Sequence, residues 1–348
     1  MGNFCVVPEE RSYWAIRCEK GAFLRHFTVN GIVAIGHLDD LNLPSTKGRP
    51  FVAEWETIKQ QLIHRFNDLD ESPRSAYLVA SQAKTFVENI KEGDWILALG
   101  AEMAVVGRVS SPSYVDKDPV YEKNANGFDA EMSFNLRRSV KWGPAIRRDE
   151  FSGALRRSLA ANQTIFNLDE HWESIYHALY GSFYRDDILY FSARITTKSL
   201  VNNIDITSFL SILSDIEVLS LGLNNGINNK NFNDYFSEYY EKGQLSLTTK
   251  AEFHSPGDIW VQLAGQSLSA IKDFSWVPIA VTAYNMVFGN KKKGMDGVVD
   301  LQTRQKIWDI VLERMKSRDA SRAVKNMGVI QPNKDVRDLE EGDKDSSE

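Results

Sequence analysis

A concentration of positive charge between residues 137 and 157 is the clearest chemical feature of this sequence. Seven cationic side chains occur there against two acids, Asp149 and Glu150. Clustered cations of this kind contact the phosphates of nucleic acids. The predicted phosphate-contacting residues are Arg137, Arg138, Lys141, Arg147, Arg148, Arg156 and Arg157. Neighbouring strand residues point to opposite faces, so the seven cannot all act together, and a solvated surface is the alternative.

The stretch "GIVAIGHLDDL", residues 31–41, is the second candidate for chemistry, because an apolar run turns abruptly polar. Gly36 permits the close approach of a ligand or of another backbone segment. His37 could stack on a base, while Asp39 and Asp40 could accept hydrogen bonds from an exocyclic amine. An ordinary strand exit, with aspartates capping the next turn, is the alternative.

Aromatic and amide side chains elsewhere could complete a pocket around that stretch. Trp55 follows it on a predicted helix, Trp95 begins a predicted strand, and Gln82 lies on an otherwise apolar helix face. Core packing is the ordinary role of a tryptophan. The predicted base-pocket residues are Gly36, His37, Asp40, Trp55, Gln82 and Trp95.

Other catalytic and metal-binding patterns are not found in the sequence. It contains no P-loop, no GxSxG and no HExxH. Cys5 and Cys18 are the two cysteines, and with no CxxC pair they predict neither a zinc site nor a disulfide framework. Asp118, Glu122 and Lys123 could suggest a nuclease, but their order is wrong and a solvated loop is preferred. We expect no cofactor and no metal, and the catalytic residues, if any, stay unknown.

Composition places the 348-residue chain among ordinary globular proteins, with 43% hydrophobic and 25% charged residues. The net charge of −6 is concentrated at one end, since residues 335–348 hold seven acids and two bases. The first residues lack a basic region followed by an apolar run, which predicts no signal peptide and a cytoplasmic location.

The elements that must position these residues alternate between strands and helices. Strands are predicted at 12–20, around "GIVAIGH", across the hairpin of "WILALG" and "MAVVGRVSSPSY", and at "EMSFNLRRSVKW". Helices are predicted at 51–66, 75–90, 149–163, where Asp149 is the expected N-cap, and 169–186. This order predicts an α+β fold whose first domain is a small mixed β-barrel with flanking helices.

The second half predicts another α+β domain, of unassigned fold. It combines a strand at 187–196, a helix at 204–223, strands within 243–265 and a charged helix over 300–328. The nearly uncharged segment 274–289 is short for a bilayer span, so a buried helix is favoured and membrane contact is the minority interpretation. The predicted divisions are a domain at 1–170, a connecting helix at 171–185, a second domain at 186–330 and a disordered acidic tail at 331–348.

An ordered series of short motifs resembles one known family. The series consists of "YWAIRCEKGAFLRHF", "NGIVAIGHLDDLNL", "ASQAKTFVENIKEGDWILALG", "VVGRVSSPSY", "RRSVKW" and "RRDEFSGALRRSLAANQTIFNL". It resembles the EVE-like domain of the PUA superfamily that precedes the nuclease domain of many Mrr-type restriction endonucleases. The resemblance covers about residues 12–168. His37 stands where that family commonly has a tryptophan, and nothing after residue 170 resembles the Mrr nuclease core.

The resemblance implies a pocket for a flipped or modified base and a role in prokaryotic antiviral defence or restriction. The expected protein is a sensor of modified DNA, RNA or a nucleotide, coupled to a C-terminal effector or oligomerisation domain. A metal-dependent nuclease with an unrecognised C-terminal site is one alternative. A membrane-acting effector that uses residues 274–289 is another, and a homo-oligomeric scaffold is a third.

Overall fold

Two hydrophobic cores, each built against its own β-sheet, organise the protein. A computed structural model describes residues 5–36, 38–44, 51–69, 73–123, 127–251, 253, 256–264, 276–289, 299–332, 334, 336 and 339. The N-terminal unit comprises Glu10–Ile175 and Lys334–Glu348. The C-terminal unit comprises Met1–Glu9 and Tyr176–Asn333.

The N-terminal unit contains a curled, eight-stranded mixed sheet. After β1 (Cys5–Val6), which belongs to the other unit, the strands are β2 (Tyr13–Arg17), β3 (Ile32–Ile35), β4 (Phe51–Val52), β5 (Trp95–Leu99), β6 (Met103–Val109), β7 (Tyr114–Val115), β8 (Val120–Lys123), β9 (Asp129–Met132), β10 (Leu136–Arg147) and β11 (Ile165–Asn167). The sheet order is β11-β2-β5-β6-β10-β7-β4, with β3 also paired to β10, while β8 and β9 form a separate hairpin. The long strand β10 changes partner along its length, from β3 and β7 to β6, so the sheet curls around one core.

Five helices accompany this sheet in the described part of the chain. They are α1 (Leu24–Asn30), α2 (Trp55–Leu69), α3 (Pro73–Lys84), α4 (Gly153–Ser158) and the first half of α5 (Trp172–Leu179), whose residues from Tyr176 onward belong to the C-terminal unit; a π-helical segment, Thr85–Asn89, extends α3. Apolar residues of β2, β3 and β5 pack with those of α2 and α3 in the core. The expected α+β class is therefore confirmed.

The C-terminal unit contains a six-stranded sheet covered by helices. Its later strands are β12 (Ser182–Arg185), β13 (Ile188–Ile195), β14 (Thr248–Ala251), β15 (Gly257–Ala264) and β16 (Val329–Ile330). Its helices are α6 (Asn203–Gly222), α7 (Phe232–Glu241), α8 (Trp276–Phe288), α9 (Leu301–Ser317) and α10 (Ala320–Met327). Asp215 of α6 is 1% exposed and binds the guanidinium groups of Arg314 and Arg318, which joins α6 to the end of α9.

Two apolar helices of this unit bear on the membrane alternative. Residues Asn203–Asn225 are long and apolar enough to cross a bilayer, but 61% of their most apolar window is buried in the protein, as in any core helix. Helix α8 has 13 residues, of which 11 are buried. In this conformation α8 contributes its apolar side chains to the core, as the favoured interpretation of 274–289 predicted.

The expected division of the chain needs correction at both ends. Residues before Glu10 do not belong to the first domain, because β1 pairs with β12 of the C-terminal unit. The tail is not disordered throughout 331–348, because Leu339 is fully buried in the N-terminal unit. The predicted helix 169–186 ends at Leu179 and is followed by a strand.

Three further local expectations also differ from the structure. Helix α4 begins after Ser152, whose Oγ accepts the backbone N–H of Leu155, so Asp149 is not the N-cap. The predicted helix over 300–328 is interrupted at Asp319, whose φ of 53° is left-handed. Helix α7 was not predicted, because its residues follow an Asn-rich stretch typical of loops.

Candidate functional site

The end of β3 is the centre of the predicted pocket. The glycine at this end, Gly36, leaves room for a neighbouring side chain of the core. All four residues of β3 are buried. A Cβ added at Gly36 would lie 2.2 Å from Cε1 of Phe134, far inside van der Waals contact. The space beside Gly36 is therefore occupied by the Phe134 ring, not open to a ligand as the sequence predicted. That ring packs edge-on against Phe23, with centroids 5.2 Å apart.

The turn after β3 carries the most unusual carboxyl group of the unit. Asp39 Oδ1 accepts the backbone N–H of Asn135 at 2.9 Å, and the Asn135 amide donates to the Asp39 carbonyl at 3.4 Å. Partial burial raises the pKa of Asp39 to about 6, and the neighbouring charge of Asp40 adds to this shift. Asp39 thus changes between an acceptor and a donor near neutral pH.

Asp40 and Trp55 are both tied to α2 but at different places. Asp40 forms an ion pair with Arg65 Nη1 at 3.0 Å. The half-buried Trp55 begins the helix and packs against the core. Ten residues separate Trp55 from Arg65, which is roughly 15 Å along the helix axis. The structure therefore does not join Asp40 and Trp55 into one contact.

Gln82 on α3 is the predicted pocket residue with an unsatisfied polar atom. Its Oε1 is buried, and no described residue donates a hydrogen bond to it. Its neighbour Ala83 is fully buried in the core. A buried amide oxygen without a donor is costly, but an oxygen this buried is closed to a ligand in this conformation.

Trp95 does not belong to a pocket at β3. It is fully buried, and its ring meets Tyr13 edge-on at 6.0 Å while the Arg11 guanidinium lies 4.9 Å over it. The next strand residue, Ile96, packs into the core around β3. Because side chains alternate along a strand, Trp95 points to the opposite face of the sheet. His37, the remaining predicted pocket residue, lies outside the described residues.

Two of the predicted phosphate contacts are buried structural groups. Arg137 is 3% exposed; it binds Asp116 at 3.0 Å and donates to the carbonyls of Phe134 and Asp118. Arg138 is 2% exposed, and burial lowers its pKa to about 10. Its guanidinium donates to three carbonyls, those of Phe86, Val87 and Ser111, at 2.7–3.0 Å. These two arginines cannot contact phosphate in this fold.

The other five cations of the stretch lie nearer the surface, with different partners. Lys141, Arg156 and Arg157 are exposed and have no partner among the described residues. Arg147 is exposed but forms an ion pair with Asp149 at 2.7 Å. Arg148 is half-buried and donates to the carbonyls of Ala101 and Leu159. The cationic surface is thus smaller than the sequence count suggests.

Of the acids considered for a nuclease, Glu122 forms an ion pair with Arg25 at 3.2 Å, whereas Asp118 contacts Arg137 only through its backbone carbonyl. In the part of the chain that the structure describes, no group of three His, Cys, Asp or Glu residues could hold a metal ion.

Sequence reasoning missed one buried acid that holds the sheet together. Asp94 accepts the indole N–H of Trp14 at 2.9 Å and the backbone N–H of Lys91 at 2.8 Å. A Gly-Asp pair before a predicted strand was the available signal. It indicates a turn, but it does not reveal a partner 80 residues away.

Comparison of the chain with protein-family models, with curated proteins and with solved structures finds no match.

Proposed function

We propose that the N-terminal unit is an EVE-like domain of the PUA superfamily that binds a modified base, in DNA, in RNA or as a nucleotide. The protein would then be a prokaryotic defence-type sensor, with the C-terminal unit as its effector. The observation that carries this proposal is the polar turn directly after β3, where Asp39 holds a half-buried carboxyl group of raised pKa.

The chemistry of the turn suits a base edge. An extruded base must be recognised by a few hydrogen-bonding groups set against apolar walls. The Asn135 N–H occupies Oδ1 of Asp39, and no described residue binds Oδ2. An exocyclic amine could donate to that oxygen.

The cations without partners support a nucleic-acid ligand over a free nucleotide. Lys141, Arg156 and Arg157 offer charge to a phosphate backbone without first breaking an ion pair. Binding through such contacts weakens steeply as salt concentration rises. We therefore propose a ligand that presents several phosphates.

Binding measurements with matched oligonucleotides test this proposal. Single- and double-stranded oligonucleotides, each unmodified or carrying 5-methylcytosine, 5-hydroxymethylcytosine or N6-methyladenine, are titrated into the full chain across a salt series. We expect one modified form to bind more tightly than its unmodified counterpart. Asp39→Asn should reduce affinity for it by about tenfold, since a hydrogen bond to a charged group is lost.

Controls separate recognition from general charge. Asp234→Asn removes an exposed carboxylate from the C-terminal unit and should leave affinity unchanged. His37→Ala tests the position at which the family resemblance places an aromatic residue. Absence of binding to every oligonucleotide, or a preference that survives both Asp39→Asn and His37→Ala, would contradict the proposal.

A further inference from the structure

A groove in the C-terminal unit lies between the first half of α6 and the end of α9. Its volume is about 380 Å³, which is within the range of small-molecule sites in proteins. The lining combines hydroxyl groups, one apolar side chain and one cation. These residues are Ile204, Thr207, Ser208, Ser211, Ser317 and Arg318.

Arg318, the cation of this groove, is only partly used by its structural partner. Its Nε donates to Oδ2 of Asp215 at 3.1 Å and its Nη2 donates to Oδ1 at 3.2 Å, so Asp215 takes one two-donor edge of the guanidinium. The second edge consists of Nη1 and the remaining N–H of Nη2. No described residue accepts a hydrogen bond from Nη1, and the side chain is 36% exposed. Arg318 therefore keeps an open pair of donors.

The charges around Arg318 leave an excess of one positive charge. Asp215 is 1% exposed and also accepts hydrogen bonds from Nε and Nη2 of Arg314, at 2.9 and 3.2 Å. One carboxylate thus meets two guanidinium groups. Asp319, which follows Arg318 in the chain, forms an ion pair with Arg322 at 2.7 Å. A guanidinium with open donors and uncompensated charge suits an anionic ligand.

Hydroxyl groups extend the donor set along the groove. Ser208 and Ser211 are half-buried, and neither makes a hydrogen bond to another described residue, whereas the Thr207 and Ser317 hydroxyls donate to carbonyls of their own helices. Ser211 precedes Asp215 by four residues, so it lies one turn along α6 from the carboxylate that holds Arg318.

This donor set favours phosphate over carboxylate. A carboxylate has two oxygens, and the open edge of Arg318 alone can bind both. A phosphate monoester has three terminal oxygens, so its third oxygen is left to accept from a serine hydroxyl.

We propose that this groove binds a small molecule that carries a phosphate monoester, with the phosphate held by the open edge of Arg318 and by the hydroxyls of Ser208 and Ser211. The side chain of Ile204, which is 66% exposed, contacts the rest of the molecule. The site lies within the C-terminal unit and does not depend on base recognition by the N-terminal unit. It gives the unit proposed as effector a ligand of its own.

Calorimetric titration of the full chain at low salt tests the class of ligand. The probes are ribose 5-phosphate, ribose and gluconate, which are similar in size and differ in the anionic group. We expect ribose 5-phosphate to bind at least tenfold more tightly than ribose, and also more tightly than gluconate. No binding of ribose 5-phosphate at millimolar concentration would overturn the site. Equal binding of gluconate would overturn the choice of phosphate.

Substitution of Arg318 tests where the phosphate binds. Arg318→Gln leaves Asp215 paired with Arg314, so the buried carboxylate keeps a cation, and affinity for ribose 5-phosphate should fall at least tenfold. The control Lys306→Gln removes an exposed charge from α9 twelve residues away, roughly 18 Å along the helix, and should bind as wild type does. Wild-type affinity in Arg318→Gln, or an equal loss in Lys306→Gln, would overturn the site.

Filling the groove tests the cavity without changing the charge. Ser211→Leu places a larger side chain in the groove and should abolish binding, while leucine suits a helix at least as well as serine does. The matched control Ser237→Leu changes an exposed serine of α7 and should leave the affinity unchanged. Wild-type affinity in Ser211→Leu would overturn binding in the groove. Thermal unfolding midpoints close to that of wild type show that both variants are folded.

The double variant Arg156→Ser, Arg157→Ser separates this site from the cations of the N-terminal unit. It should bind ribose 5-phosphate as tightly as wild type. A loss of ribose 5-phosphate binding in this variant would assign the phosphate to the N-terminal unit and overturn the groove. If no oligonucleotide binds while ribose 5-phosphate does, the proposed function fails and the groove is supported.

Discussion

The N-terminal unit contains three Arg-Arg pairs close together in sequence, and the first and the last of them have opposite roles. Arg137 and Arg138 lie on β10, are at most 3% exposed, and bind carbonyls and a carboxylate. Arg156 and Arg157 lie on α4, are exposed, and have no partner among the described residues. The same dipeptide therefore stabilises the fold in one place and is free to bind a ligand in the other.

Their secondary structure and neighbours explain the difference. Strand β10 has partners on both edges where Arg137 lies, so both side chains enter packed layers and must satisfy all their donors. Helix α4 is six residues long and buries mainly Leu155, which leaves its other faces in solvent. Charge density along a sequence therefore does not measure the charge available on a surface.

The largest expected effect comes from Arg138. Replacing it with Met removes the donors to the buried carbonyl of Phe86 and the partly buried carbonyls of Val87 and Ser111, which should lower the free energy of unfolding by about 3 kcal/mol. Urea denaturation measures this change. Arg156→Met is the matched control on an exposed helix and should stay within about 0.5 kcal/mol of wild type. Similar losses of unfolding free energy in Arg138→Met and Arg156→Met would show that the buried and the exposed arginine pair do not differ in their contribution to stability.

The double variant Arg156→Ser, Arg157→Ser tests whether the exposed arginine pair binds an oligonucleotide. The free energy of unfolding should be unchanged, while affinity for an oligonucleotide should fall roughly tenfold at low salt. The slope of log affinity against log salt concentration should also decrease in magnitude by up to about two, because up to two fewer counterions are released on binding. Lys316→Ser with Lys325→Ser removes two exposed charges from the C-terminal unit as a control. A loss of the same size in that control would indicate binding by net charge alone.

Asp39 is an intermediate case, half-buried and ionisable near neutral pH. Its pKa in the folded protein, about 6, is above the usual value of an aspartate. The stability that comes from protonation is thus fully present below about pH 4 and is lost as pH rises through about 6. Asp39→Asn should therefore be more stable than wild type at pH 8, by roughly 1 kcal/mol after allowance for solvent screening, and equal to it at pH 4.

Unfolding curves of both proteins between pH 4 and pH 8 check this expectation. A variant that gains stability but loses oligonucleotide affinity would mark Asp39 as a binding group held at a cost to the fold. A pH-independent difference between the two proteins would instead place the origin of the effect outside the carboxyl group.

The smallest effect is expected for Arg147, which is exposed yet paired with Asp149. Arg147→Ser should leave the unfolding midpoint unchanged, because exposed ion pairs contribute little. It should also reduce oligonucleotide affinity less than Arg156→Ser does, since Asp149 already neutralises the Arg147 charge. Asp149→Ser should raise affinity. Unchanged affinity instead would show that Arg147 does not face the ligand.

Local pattern predicted a large part of this fold. The apolar runs of β2, β3, β5 and β6, and the helical spacing that gave α2, α3 and α6, were recognisable because each depends on residues a few positions apart. The order of these elements was enough for the α+β class. The short β4 was not recognised, since it exists only through pairing with the distant β7. Strand β12 was missed for a different reason: it forms a tight hairpin with β13 across Asp186 and Asp187, but the helix predicted at 169–186 includes its residues.

The sequence by itself determined most of the elements, a division into two parts whose bounds the structure corrects, and the acidic composition of the tail. Only the tertiary structure decided which cations are buried, that Phe134 occupies the space at Gly36, and that Leu339 docks at Gly143. The physical reason is range. Hydrophobic periodicity depends on neighbouring residues, whereas burial, desolvation and steric fit arise here between groups about 20 to 200 positions apart, which no local pattern encodes.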